Sequence, residues 1–146
     1  LDLPSAIEAA TERAENASGR RVERRIEHRL PVPSLDPLLF DQVLSNLLDI
    51  ALRFSGPQGH AAVAVRREGA NVTVQVEDDG PGIPRKDIMR IFGPFFRASC
   101  TDRIAAGTGL GLAIARGLTR ATGGQILAES RILDGRGTRM SLRFPA

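Results

Sequence analysis

Tryptophan and tyrosine are absent from this chain of 146 residues, and cysteine and lysine occur once each, as Cys100 and Lys86. A lone cysteine excludes an internal disulfide and fits a reducing compartment. No apolar run approaches the length of a membrane span, and no signal peptide opens the sequence. The expectation is therefore a cytoplasmic piece with no membrane contact of its own, of the kind cut from a larger membrane-bound protein. The net charge of +3 is carried by arginine almost alone. Nucleic-acid binders gather basic residues on one element with aromatics close by. Here the arginines are scattered and the large polar aromatics are missing, so a solvated, mildly basic surface is the better reading and no nucleic-acid partner is expected. A hydrophobic content of 42% with 25% charged residues suits one globular domain with a single core.

The periodicity gives an order of elements. Residues 2–18 read as a helix, with Ser5 and Glu8 at capping-box spacing and Gly19 as the stop. Its apolar face is thin, and residues 1–19 suit the end of a linker from a preceding domain. In RRVERRIEHRLP, Val22, Ile26 and Leu30 share one parity against charged neighbours, which predicts a half-buried strand. His28 falls on the inner parity, as a packed structural histidine. Asp36 and Pro37 then open a long helix through Phe54, as cap and first helical residue. Phe40, Leu44, Leu47, Leu48 and Ala51 form its apolar stripe, while Asn46, Ile50 and Arg53 form a second line suited to edge a cleft. AAVAVRRE and NVTVQVED make a hairpin turning at residues 68–71. A short helix over residues 83–92, a loop to Gly107 and a helix over residues 110–122 follow, the last stopped by Gly123-Gly124. QILAESRIL and GTRMSLRF close the chain as a second hairpin, with Thr138, Met140, Leu142 and Phe144 facing in and Arg139, Ser141 and Arg143 facing out. There is no repeat, low-complexity tract or internal linker. Hairpin-paired strands with helices kept to one face predict an α+β two-layer sandwich, its mixed sheet mostly antiparallel.

The chemistry concentrates in residues 72–112. Val72, Val74 and Val76 share a parity that also takes Asp78, so a strand burying three valines points Asp78 inward and Asp79 outward. A carboxylate at the buried end of a strand needs a partner, and Gly80 and Gly82 strip the following backbone of side chains. That partner is read as a ligand. Downstream, GTGLGLA opens a helix, where bare amides and the helix dipole favour phosphate oxygens. The cluster has neither the Gly-Lys-Ser/Thr ending of a Walker loop nor a dinucleotide fingerprint.

Taken together, NLLDIALRF, VEDDGPGIP, IFGPFFR and GTGLGLA resemble the N, first G, F and second G boxes of the catalytic ATP-binding domain of two-component sensor histidine kinases. The resemblance covers roughly residues 36–144, with a slighter likeness to potassium-responsive sensors of the KdpD type. That domain has the Bergerat fold, shared with gyrase, Hsp90-type and MutL-type ATPases, and the F box is specific to the kinases. The resemblance implies ATP as ligand, with the adenine amino group donating to Asp78. It implies that Gly80 and Gly82 let the base approach the backbone beside Ile83, and that Thr138 supplies a hydroxyl or water contact. It puts Arg53 and Arg97 near phosphate, and phosphate also at Gly107, Thr108, Gly109, Leu110, Gly111 and Leu112. Phe92, Phe95 and Phe96 would anchor an ATP lid over residues 85–106. The partners implied are a histidine-bearing dimerisation domain of the same protein and a response regulator.

At one position the sequence departs from the family. The N box carries two asparagines four residues apart, and the second binds the magnesium that bridges the phosphates. Asn46 keeps the first, as the catalytic and metal-facing residue that remains. The second is Ile50, which offers no oxygen to a hard ion. Phosphoryl transfer of this kind relies on that metal. A nucleotide-binding pseudokinase module is therefore one alternative, and a relative of the anti-sigma-factor serine kinases is another.

Overall fold

The computed structural model describes residues 1–56, 58–88, 90–93, 111–133 and 135–146. Its first helix, α1 (Leu3–Ser18), begins one turn earlier than the Ser5 capping box suggests. Asp2 is the cap, its carboxylate accepting from the amide and the hydroxyl of Ser5. Pro4 explains the shift: it fits the opening turn, where its missing N–H is not needed. Glu8, released from capping, reaches Arg24 instead at 2.9 Å. Gly19 ends the helix at φ 72°, the left-handed conformation that glycine adopts without strain. Leu3, Ile7 and Ala10 sit in the core, so α1 is packed into the domain against the long helix that follows.

Strand β1 (Glu23–Ile26) stops well short of Leu30. It is an edge strand with one neighbour, and after the Glu27 amide bonds to the Val65 carbonyl the chain leaves the sheet. Arg29 turns the backbone at φ 59°. His28 is consequently exposed, not packed as its parity implied. Arg24 takes an inner-parity position and satisfies its charge with Glu8 and Glu15 of α1. The Arg24 guanidinium, helped by the Val22 amide, holds the Glu15 carboxyl down at about 2.

Helix α2 (Pro37–Ser55) forms as its sequence predicts, with Asp36 accepting from the amides of Leu38 and Leu39. It buries Phe40, Val43, Leu44, Leu47, Leu48, Ala51, Leu52 and Phe54. At roughly 1.5–3 kcal/mol for each large apolar side chain, this one helix supplies a major share of the core's driving force. Strands β2 (Ala61–Glu68) and β3 (Asn71–Asp78) turn through Gly69-Ala70, with Gly69 at φ 61°. After the short α3 (Arg85–Ile88), which realises only the middle of the expected helix, come α4 (Gly111–Ala121), β4 (Gln125–Leu133) and β5 (Arg136–Pro145).

The five strands lie in the order β1-β2-β3-β5-β4, with β1 parallel to β2 and every other pair antiparallel. Helices cover one face, where Phe40 of α2 meets Phe144 of β5 edge-on at 6.0 Å. The other face carries outward residues as expected, yet Thr73, Gln75 and Ser141 are buried on it. Arg139 and Arg143 reach Glu77 and Glu68 across this face, and long side chains lying along a sheet cover short polar ones. The sandwich places the C-terminal end of β3, the end of α2 and the start of α4 at one edge.

Candidate functional site

The valines of β3 fix the direction of the acid that follows them. Val72, Val74 and Val76 are buried against the helices, and Asp78 continues their line with 5% of its surface exposed. Asp79 points the other way, its carboxylate accepting from the His60 amide at 2.8 Å. Asp78 accepts one backbone bond, from the Gly80 amide at 2.9 Å. Burial pushes its pKa up to about 7, the Gly80 bond opposes that rise, and the charge of Asp79 adds to it.

Opposite Asp78 on β5 stands Thr138, and opposite Thr138 on β4 stands Ser130. Three polar residues thus line one row across three strands. The Ser130 hydroxyl accepts from the Ile83 amide and donates to the Gly137 carbonyl at 3.4 Å, while the Gly137 amide donates to the Gly80 carbonyl at 2.8 Å. The backbone of residues 80–83 is therefore tied to the β4–β5 hairpin. Thr138 is 1% exposed, and its hydroxyl has no hydrogen-bond partner among the described residues. A buried unpaired hydroxyl costs about 1–3 kcal/mol, which something that enters the site would relieve.

Each glycine of the first cluster has its own reason. A Cβ on Gly80 would stand 2.5 Å from the Phe54 carbonyl oxygen, so the end of α2 demands a residue without one. Gly82 sits at φ 83°, a conformation that side chains resist. Ile83 is buried beside them.

The second part of the site is the seam between α2 and α4. Asn46 donates its Nδ2 to the Gly111 carbonyl at 3.4 Å, and its Oδ1 accepts from Gln42 at 3.1 Å. Ile50, one turn on, comes within 3.8 Å of where a Gly111 Cβ would lie. The line of Asn46 and Ile50 does face the second glycine cluster, and Leu112 is buried behind it. Arg53 is placed differently. Its guanidinium pairs with Asp49 at 3.3 Å and borders an open groove between α1 and α2, along with Ala10, Arg13, Ala14, Leu52 and Gly56. That groove includes none of Asp78, Gly80, Gly82 or Thr138. Phe92 is half-buried against the core, with the Arg116 guanidinium of α4 5.7 Å from its ring centre. Arg97, Gly107, Thr108, Gly109 and Leu110 lie outside the described residues, as do Phe95 and Phe96.

Ser130, Arg116 and Gln42 were not singled out from the sequence. Ser130 follows from the second hairpin once its register is drawn, and Gln42 lies one helical turn before Asn46. The Arg116 contact had no sequence signal beyond a basic residue on a helix.

An adenine fits these residues: a buried acceptor at Asp78, an unpaired hydroxyl at Thr138, and backbone bare of side chains at Gly80 and Gly82. A magnesium ion does not fit the seam beside Gly111. The Asn46 oxygen, which already accepts from Gln42, is the one side-chain oxygen on that line, and the next side chain is isoleucine.

Comparison with known proteins agrees with this geometry. The profile described as "Histidine kinase-, DNA gyrase B-, and HSP90-like ATPase" matches residues 35–146, and the chain belongs to that family. Among its relatives, sensor histidine kinase WalK of Bacillus subtilis is 39% identical over 107 residues, covering 71% of this chain. Sensor protein KdpD of Escherichia coli is 32% identical over 142 residues, covering 97% of this chain. The chain spans only 17% and 16% of the lengths of these two relatives. The solved catalytic domain of histidine kinase ThkA superposes with a TM-score of 0.81 at 26% identity, covering 99% of this chain and 94% of that one. Within the family, the domain is thus the ATPase catalytic domain of the sensor histidine kinase kind.

Proposed function

We propose that this domain binds ATP with the adenine against Asp78 and presents the γ-phosphate for transfer to a histidine on a separate dimerisation domain. The observation that carries the reading is the buried Asp78 carboxylate facing an unpaired Thr138 hydroxyl across the β3–β5 register. An ionised carboxylate accepts from an amino group, and adenine offers one where guanine offers a carbonyl oxygen. Thr138 takes a ring nitrogen or a bridging water, while Gly80 and Gly82 leave room for the base beside Ile83. Asn46, Gly111 and Leu112 border the phosphates. Phe92 supports the wall on the F-box side, with Arg97 as a candidate phosphate contact, while Arg53, turned onto Asp49, is left out of the site.

The phosphoacceptor histidine is proposed to lie on another domain: the two histidines here, His28 and His60, are both exposed, and His60 sits beside Glu23. The partners proposed are a histidine-bearing helical domain of the same polypeptide and, after it, a response regulator. The full protein is proposed to be a sensor whose catalytic part lies in the cytoplasm. Among the described residues no helix is long and apolar enough to cross a membrane.

Calorimetric titration with ATP, ADP and GTP tests the base assignment. ATP and ADP should saturate the domain, with GTP weaker by about tenfold or more because its oxygen faces the carboxylate. Equal affinity for GTP would overturn the role of Asp78. Transfer of label from γ-labelled ATP to a separately supplied histidine domain tests the second half, and the absence of any label on that domain would refute it.

A further inference from the structure

The side of α2 that faces the first turn of α4 offers one side-chain oxygen, that of Asn46, where a metal site needs several. Asn46 donates its Nδ2 to the Gly111 carbonyl, and its Oδ1 already accepts one bond, from Gln42. Ile50 fills the next turn and packs toward Gly111. The neighbouring carboxylate, Asp49, is exposed and turned onto Arg53. Among the described residues there is no group of three His, Cys, Asp or Glu side chains placed to hold a metal ion. Magnesium requires oxygen ligands in near-octahedral geometry and releases its waters reluctantly, so a branched apolar side chain supplies nothing and displaces the water that would substitute.

We propose that this domain takes up its nucleotide as the metal-free polyphosphate anion, so that any cation used in transfer is supplied from outside the α2–α4 seam. The base is held at Asp78 and Thr138, the polyphosphate meets α4 beside Gly111, and Ile50 closes the place from which α2 would hold a bridging cation. The proposal rests on the adenine-nucleotide reading above. Magnesium in solution then competes with the protein for the phosphates, and excess magnesium weakens binding where it would ordinarily strengthen it.

Calorimetry with ATP, once in excess chelator and once in excess magnesium, tests this on the domain as it stands. The expected result is affinity in chelator equal to or greater than that in magnesium. In the Ile50→Asn variant the order should reverse, with magnesium tightening binding by about tenfold or more. Wild-type binding that appears only with magnesium would overturn the proposal. So would an Ile50→Asn variant that melts within a few degrees of wild type and gains no magnesium dependence. If that variant fails to fold, the wild-type comparison alone still decides. Binding in neither condition would overturn the nucleotide reading itself, and this proposal with it, whereas magnesium-dependent binding would leave that reading intact.

Discussion

Asp78→Asn keeps the shape of the side chain and removes its charge, and the consequences for stability and for binding run in opposite directions. In the ligand-free domain the carboxyl is buried, with a pKa raised from 3.8 to about 7. At about 1.36 kcal/mol per pH unit, that difference corresponds to roughly 4 kcal/mol against the ionised form. Between these two pH values the folded state keeps a proton that the unfolded chain has released. The folded state therefore binds more protons, and stability falls as pH rises through that window, fully so above pH 7. The substituted amide carries no such penalty and still offers an oxygen to the Gly80 N–H. At pH 8 the variant should be more stable than wild type by about 1–3 kcal/mol, after allowing for imperfect accommodation of its NH2 group. In a domain of this size that raises Tm by about 2–10 °C. At pH 5 the gain should shrink. ATP affinity should nonetheless fall by about tenfold or more, because the charged acceptor for the adenine amino group is gone. Melting curves at pH 5 and pH 8, paired with nucleotide titration, measure both effects. A variant that melts below wild type at pH 8, or that binds ATP undiminished, would refute the reasoning. Asp79→Asn, which alters the His60 contact and removes a charge that disfavours the ionised Asp78, should leave ATP affinity nearly unchanged or raise it slightly.

The same carboxyl makes binding of the base pH-dependent: adenosine, which carries no titrating phosphate, should bind more tightly at pH 8 than at pH 6 as Asp78 ionises, and the dependence should vanish in Asp78→Asn. A flat wild-type profile would argue against an ionised acceptor. Two glycine substitutions should part company in a chemical-denaturation experiment. Gly80→Ala drives a methyl group to 2.5 Å from the Phe54 carbonyl and should cost about 1–3 kcal/mol. Gly117→Ala, inside α4 with open space around it, should gain about 0.5–1 kcal/mol.

Much of this architecture can be read from residue order because its determinants are local. Asp36 with Pro37 fixes the start of α2, Gly69 fixes the first hairpin, and the parity of three valines decides between Asp78 and Asp79. The reading slipped where a rival signal or a tertiary contact governs. Pro4 moved the first cap to Asp2, and β1, paired among the described residues with β2 alone, leaves the sheet after Glu27, which no alternation of side chains reveals. His28 was lost from the core for that reason. Burial of Thr73, Gln75 and Ser141 depends on arginines reaching across strands, and strict alternation assigns those positions to solvent. At the site, Asp78 and Thr138 were legible as a pair because both lie on inner parities of strands. The need for glycine at position 80 was legible, but its cause in the Phe54 carbonyl was not, since the two lie far apart in sequence. Arg53 shares a helical line with Asn46 and Ile50, yet a flexible side chain follows the nearest charge, and Asp49 holds it.

Where the nucleotide sits can be mapped residue by residue from backbone amide shifts of the isotope-labelled domain during addition of ATP. Binding at the β3–β5 row predicts the largest changes at residues 78–83, at Thr138 and at Gly111 and Leu112, with little movement at Ala10, Ala14 or Leu52. Changes concentrated in the groove between α1 and α2, with residues 78–83 and Thr138 silent, would contradict it.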